Sequence, residues 1–240
     1  MTTDLLFRAD AYLDRAAARV LASGPEGVVL DRTVFYAAAG GQPGDTGLLR
    51  RADGATVPVT DTVKGEGGAV LHRIADGAAP PAPGETVTAE IDWPRRHRLM
   101  RMHTALHLLC SLIPGAAVTG GAIGDGKGRL DFDLPAAPDR DALNARLAAL
   151  VADDHPLGER WISDEELAAN PGLVRTLSVK PPTGTGRVRL VRIGAEDSPV
   201  DLQPCGGTHV RSTSEIGRIS VAKVENKGRQ NRRIVLVLEG

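Results

Sequence analysis

Apolar and polar positions alternate with a short period over the first ninety residues, and the period then lengthens. Residues 27–49, GVVLDRTVFYAAAGGQPGDTGLL, hold two brief apolar segments followed by a glycine-rich loop. ATVPVTDTVK (55–64), GGAVLHRI (67–74) and ETVTAEIDW (85–93) carry the β-branched content and alternation of strands, with a proline-rich link at 78–85. From Trp93 the spacing becomes helical: WPRRHRLMRMHTALHLLCSLIP predicts a helix with Pro94 in its first turn and a stop at Pro114. VTGGAIGDGKGRLDFDLP predicts a hairpin turning at Gly126 and Gly128, with Leu130, Phe132 and Leu134 alternating along its second strand. Asp139 is placed to cap a helix over 139–154, and Ser163 with Glu166 forms a capping-box pattern for a short helix ending near Asn170–Gly172. RVRLVRI (187–193) alternates apolar and basic residues as a half-exposed strand would. RISVAKVEN and RRIVLVLE read as closing strands, the second central because its apolar run is continuous. The pattern predicts an α+β protein: a β-rich, barrel-like domain over 1–92 containing the glycine-rich loop, then an α+β domain over 93–240.

Composition narrows the class. Hydrophobic residues make up 42% and charged residues 25% of 240, ordinary for a soluble globular chain, and aromatics are only 3%, so any core is aliphatic. No stretch approaches the roughly 18–20 apolar residues of a membrane span. The N-terminus has early acids and no apolar h-region, so no signal peptide is expected. Two cysteines, Cys110 and Cys205, do not make a disulfide framework; a reducing, cytoplasmic setting is the expectation.

The net charge of −1 hides basic runs. Arg95, Arg96, Arg98 and Arg101 precede the helix's histidines; Arg175, Lys180, Arg187, Arg189 and Arg192 form a second run; Lys227, Arg229, Arg232 and Arg233 close the chain. Each run alone reads as a solvated face. Together they point to a phosphate-bearing partner.

The chemistry lies in two spaced pairs. His103 and His107 sit at i and i+4 of the predicted helix, so both imidazoles project from one face. Thr104 stands where the protease motif HExxH has its glutamate, so that motif is absent. Cys205 and His209 flank two glycines in QPCGGTHV, a loop able to turn a thiolate and an imidazole toward one ion. Three imidazoles and a thiolate suit tetrahedral Zn2+, and the separation of the pairs along the chain predicts a site made by folding rather than a finger. His72, His97, His155 and Cys110 read as structural or surface residues.

HTALHLL, CGGTHV, FYAAAGGQPGDTG and EIGRISVAKVENKGRQNRRIVL, in this combination, resemble the editing domain shared by alanyl-tRNA synthetases and the free-standing AlaX proteins. The similarity runs from about Val28 to Leu238. The resemblance implies a trans-editing hydrolase that deacylates tRNA(Ala) mischarged with serine or glycine. It implies zinc held by His103, His107, Cys205 and His209, with Gln42 and Thr33 as pocket residues that read the aminoacyl group. Lys227, Arg229, Arg232 and Arg233 are expected to meet acceptor-stem or CCA phosphates. Neither a membrane nor an obligate protein partner is expected. Ala38, Ala39 and Leu106 depart from the family pattern and leave the amino-acid preference open. A full set of four protein ligands also leaves open whether zinc is catalytic, substrate-positioning or structural. The alternative reading is a tRNA-binding module with a structural zinc and no activity.

Overall fold

Inward-facing Val57 and Val59 alternate with exposed Thr56 and Pro58 along one N-terminal strand, and then the phase slips so that Thr62 faces inward. A register shift between Val59 and Asp61 causes the slip, a bulge that bends the strand and turns it onto the next. The computed structural model describes residues 1–177 and 186–239, in two compact units, Met1–His97 and Arg98–Gly240. Lys180 of the second basic run lies outside the described residues.

In the first unit, β1 (Asp4–Leu5) pairs with β4 (Arg32–Thr33). β2 (Arg15–Gly24), β3 (Gly27–Leu30), β5 (Gly47–Arg51), β6 (Thr56–Lys64), β7 (Val70–Ile74) and β8 (Thr86–Ile91) close into a barrel in the order β2-β3-β7-β6-β5-β8. Every neighbouring pair is antiparallel, so the barrel leaves no open edge. Its interior is mostly aliphatic, as the low aromatic content requires: Val20, Val28, Leu30, Leu49, Val59, Val87 and Ala89 cluster with Phe35.

Helix α1 (Trp93–Leu112) follows; in its first turn Trp93 stacks with His97 and both rings meet Tyr12. In the second unit the helix is buried nearly all round, with Leu99, Met100, Met102, Ala105, Leu108 and Leu109 at zero exposure. Arg175 donates to the carbonyls of Cys110 and Ile113 where the helix ends. β9 (Val118–Ile123) and β10 (Lys127–Asp133) form the expected hairpin, α2 (Arg140–Ala152) is capped by Asp139, and α3 (Asp164–Ala169) starts with a capping box of Ser163 and Glu166. With β14 (Ile219–Asn226) and β15 (Asn231–Leu238) the hairpin makes a four-stranded antiparallel sheet ordered β14-β15-β10-β9. The strand with the continuous apolar run, β15, is internal. A second sheet is ordered β11-β12-β13, from Leu157–Ile162, Val188–Gly194 and Pro199–Pro204. The fold is α+β, led by a barrel.

Two local expectations are corrected. Gly126 does turn the hairpin at φ 73°, but Gly128 lies within β10. A Cβ there would come 2.6 Å from the Met102 sulfur, so its bare backbone makes room for α1 rather than for a turn. The strand over 188–194 is not half-exposed: it is the middle strand of its sheet and almost wholly buried. Its arginines alternate with apolar residues because they are consumed inside the protein, Arg189 by Glu159 and loop carbonyls and Arg192 by the carbonyl of Gly194.

Candidate metal centre

The i, i+4 spacing on α1 brings the His103 and His107 rings to 5.2 Å between centroids. From the other side, β13 ends at Pro204 and the chain turns through Cys205–His209. Arg189 on β12 fixes that turn by donating to the carbonyls of Cys205 and Gly207, each at 2.9 Å. The result places the Cys205 Sγ 3.5 Å from His103 Nε2 and 3.3 Å from His209 Nε2. The ligand atoms of His103, His107, Cys205 and His209 all lie within 4.8 Å of one another, and this group could hold a metal ion. The three histidines are buried and Cys205 is half-buried.

The outward-facing nitrogens are held as metal ligation requires. The His107 Nδ1 lies 2.8 Å from Asp201 Oδ2, and Gln203 Nε2 donates to the same carboxylate oxygen at 2.8 Å. A carboxylate can only accept, so His107 Nδ1 carries a proton and Nε2 is the nitrogen left to face a cation. Thr104, fully buried one residue after His103, puts its hydroxyl 3.1 Å from His209 Nδ1, which leaves the His209 Nε2 turned toward the thiol.

Electrostatics favours the thiolate. Burial, the largest influence, raises the Cys205 thiol, but the charges of His103 and His209 outweigh it and bring it well below the ordinary value. Burial also dominates at His209 and, with the charge of His103, pushes it well below the usual imidazole range. At His107 burial works downward, yet Asp201 and Cys205 prevail and carry it up to about 10. The second proton of that imidazolium sits on Nε2, and it is the one a cation would displace on binding. The donor set, its softness and its outer hydrogen bonds fit zinc.

Asp201 and Gln203 escape a motif search because neither belongs to a spaced pair. Their signal is period two: Asp201, Gln203 and Cys205 alternate along DLQPC, so one strand face carries all three. Arg189 is masked by its basic run.

The remaining candidates sit elsewhere. In the first unit, Ala39 and Gln42 exchange backbone hydrogen bonds across Gly40 and Gly41, whose φ of 58° and 84° make a tight hairpin turn open only to glycine-like residues. The glycines form the tip, and Gln42 itself is buried. Thr33 is fully buried; its hydroxyl donates to His72 Nε2 at 2.8 Å and accepts from the Phe35 amide at 3.0 Å, which suits a support better than an acyl contact. His72 is a barrel-interior residue that donates from Nδ1 to the Val28 carbonyl. Lys227 and Arg229 are exposed near the β14–β15 turn, Lys227 beside Glu225. Arg232 is buried, its guanidinium spent on the carbonyls of Gly228, Arg229, Asn231 and Pro135. Arg233 grips Asp131 through both carboxylate oxygens, at 2.7 and 2.9 Å. In the first basic run, Arg95 donates to the Gly44 carbonyl, Arg96 is buried against Asp45, and Arg98 pairs with Asp125.

Sequence comparison places these features in context. Residues 10–95 match the model of class II (A) tRNA synthetases, and residues 188–235 match that of the threonyl and alanyl tRNA synthetase second additional domain. Both matched models describe tRNA synthetase domains, and the second includes Cys205 and His209 of the metal cluster. An alanyl-tRNA editing protein AlaX-M of Methanosarcina acetivorans is 38% identical over 248 residues, spanning 98% of this chain and 99% of its own. Another AlaX-M, from Saccharolobus solfataricus, is 34% identical over 235 residues, 97% of each chain. The alanine–tRNA ligase of Pyrobaculum aerophilum is 36% identical over 229 residues, 92% of this chain but only 25% of the ligase. The chain belongs to the AlaX-M family of alanyl-tRNA editing proteins.

Proposed function

We propose that the protein is a cytoplasmic trans-editing hydrolase that cleaves the aminoacyl ester of tRNA(Ala) mischarged with serine or glycine. The observation that carries this reading is the convergence of His103, His107, Cys205 and His209 in a chain that aligns end to end with AlaX-M proteins. Water is the second substrate: it adds to the acyl carbon, the ester C–O bond breaks, and the free amino acid and the tRNA hydroxyl leave.

The four residues would hold Zn2+, which when bound supplies Lewis acidity and an anchor for the substrate's amine. The protein's own groups do the positioning. Asp201 holds the His107 tautomer, Thr104 holds His209, and Arg189 holds the loop that presents Cys205. Burial of the histidines keeps bulk water from competing for the donors. Gln42 is proposed as a contact to the bound aminoacyl group, and Thr33 as a support through its bonds to His72 and the Phe35 amide. Lys227 and Arg229 are proposed as phosphate contacts that fix the tRNA without reading its sequence.

A structural-zinc reading draws on one feature: four protein ligands make a closed set, the usual form of a structural site. One assay separates the two. Purified, zinc-loaded protein is incubated with tRNA(Ala) charged with serine, glycine or alanine. The editing reading expects release of serine or glycine well ahead of alanine. Tight tRNA binding with no release above the blank would retire it in favour of the binding module.

A further inference from the structure

Trp161 is a large aromatic left 40% exposed on β11, the edge strand of the three-stranded sheet. The Arg187 guanidinium lies over its ring, 5.4 Å from the centroid. The other face of this sheet is an ordinary core, where Ile162, Val188 and Leu190 pack with Leu167 of α3. Trp161 belongs to the opposite face, and register shows what shares it. Trp161 stands directly across from Arg189, and the Cys205 amide donates to the Arg189 carbonyl on the far side of β12. Gln203 and Asp201, opposite Val191 and Ile193, complete the face and reach His107. One sheet face thus leads into Cys205 and carries the supporting Asp201 and Gln203 at one side and an arginine-stacked indole at the other, two strand spacings apart, or about 10 Å.

We propose that Trp161, steadied by Arg187, is a stacking platform for the unpaired 3′-terminal nucleotides of an aminoacyl-tRNA, and so positions the ester at the metal centre. This rests on the editing reading above. An exposed indole with a guanidinium on its ring is the chemistry that binds unpaired bases: the ring stacks and the cation faces phosphate. The span also fits. An adenine base lies several ångströms from its own ribose hydroxyls, so a nucleotide stacked at Trp161 reaches toward Cys205 rather than past it. The sequence hides the site because Trp161 sits in a strand without a motif and Arg187 counts only as one member of a basic run.

Three measurements test it. The zinc-loaded protein is titrated with intact tRNA(Ala) and with the same tRNA trimmed of its terminal adenosine. Trp161→Ala is expected to weaken binding of the intact tRNA by about ten-fold, as loss of one stacked base does, and to leave the trimmed tRNA unchanged. Trp161→Phe keeps a ring and should recover most of the loss. In the unaltered protein, a CCA trinucleotide should quench tryptophan emission, and should not do so once Trp161→Phe leaves Trp93 as the remaining indole. Equal binding of both tRNAs by wild type and Trp161→Ala, with no trinucleotide quenching, overturns the platform and would suit a protein-docking role. A trinucleotide that quenches in a protein that releases no amino acid retires the hydrolase and keeps the platform. Normal deacylation with no effect of Trp161→Ala retires the platform alone.

Discussion

Asp45 and Arg96 meet in a space without solvent: the guanidinium Nε lies 2.9 Å from each carboxylate oxygen, and neither side chain is more than 1% exposed. Arg96 also donates to the carbonyls of Val34 and Ala11, and Asp45 accepts from the Tyr36 amide. The pair therefore ties the loop bearing GGQPGDTG to the first turn of α1 within the barrel unit. Removing one partner strands a buried charge. Asp45→Ala is expected to destabilise this unit by about 3–5 kcal/mol in urea unfolding. A loss under about 1 kcal/mol would show that the pair contributes no more than a surface ion pair does.

Burial lowers the His72 imidazole to about 4, although its bond to the Val28 carbonyl works the other way. Its folded value lies below its unfolded one, so its contribution is fully present above about pH 6.5 and declines as pH falls toward about 4. The unfolded chain takes up a proton in that window and the folded barrel does not. Up to roughly 3 kcal/mol is at stake. Urea midpoints measured between about pH 7 and pH 4.5 should fall more steeply for wild type than for His72→Gln. Parallel slopes would remove His72 as the source.

Among the described residues, Asp201 meets the four-residue ligand set through His107. Asp201→Asn leaves a side chain of nearly the same shape but no longer dictates which nitrogen of His107 carries the proton. Zinc affinity, followed by competition with a chromogenic chelator, is expected to drop by about 10–100-fold while the fold persists. Unchanged affinity would mean that Asp201 serves the packing of β13 and not the ligand.

The basic residues Lys227, Arg229 and Arg232 should separate by role. Lys227→Glu with Arg229→Glu should weaken tRNA binding and lower the salt slope by about 0.7–0.9 for each lost phosphate contact. Single-turnover cleavage at saturating tRNA should stay near normal, since such contacts act alike in ground and transition states. Arg232→Ala should do the reverse, lowering stability by about 1–3 kcal/mol through the carbonyls it abandons and leaving the salt slope alone. A shared response of all three positions would contradict the division.

Periodicity and caps make α1, α2, α3 and the β9–β10 hairpin legible, because each rests on contacts within a few residues. The His103 and His107 pair is legible for the same reason, and the fold brings it to Cys205 and His209. What depends on distant partners is hidden. An arginine has one letter whether it faces water or a carboxylate, so Arg96, Arg189 and Arg232 look like surface charge until Asp45, Glu159 and the Pro135 carbonyl are seen beside them. The same holds for Gly128, whose reason is Met102 on another element.

The metal donors come from two places 102 residues apart along the chain. During synthesis the histidines of α1 therefore leave the ribosome well before Cys205 and His209, by about 5–20 s at ordinary elongation rates. Through that interval the barrel sequence is already complete, while the ion's site is only half made. On the zinc reading proposed above, loading is a late event of biogenesis, gated by closure of a long loop, and a cell short of zinc would accumulate chains whose first unit is finished and whose second still waits for its clasp.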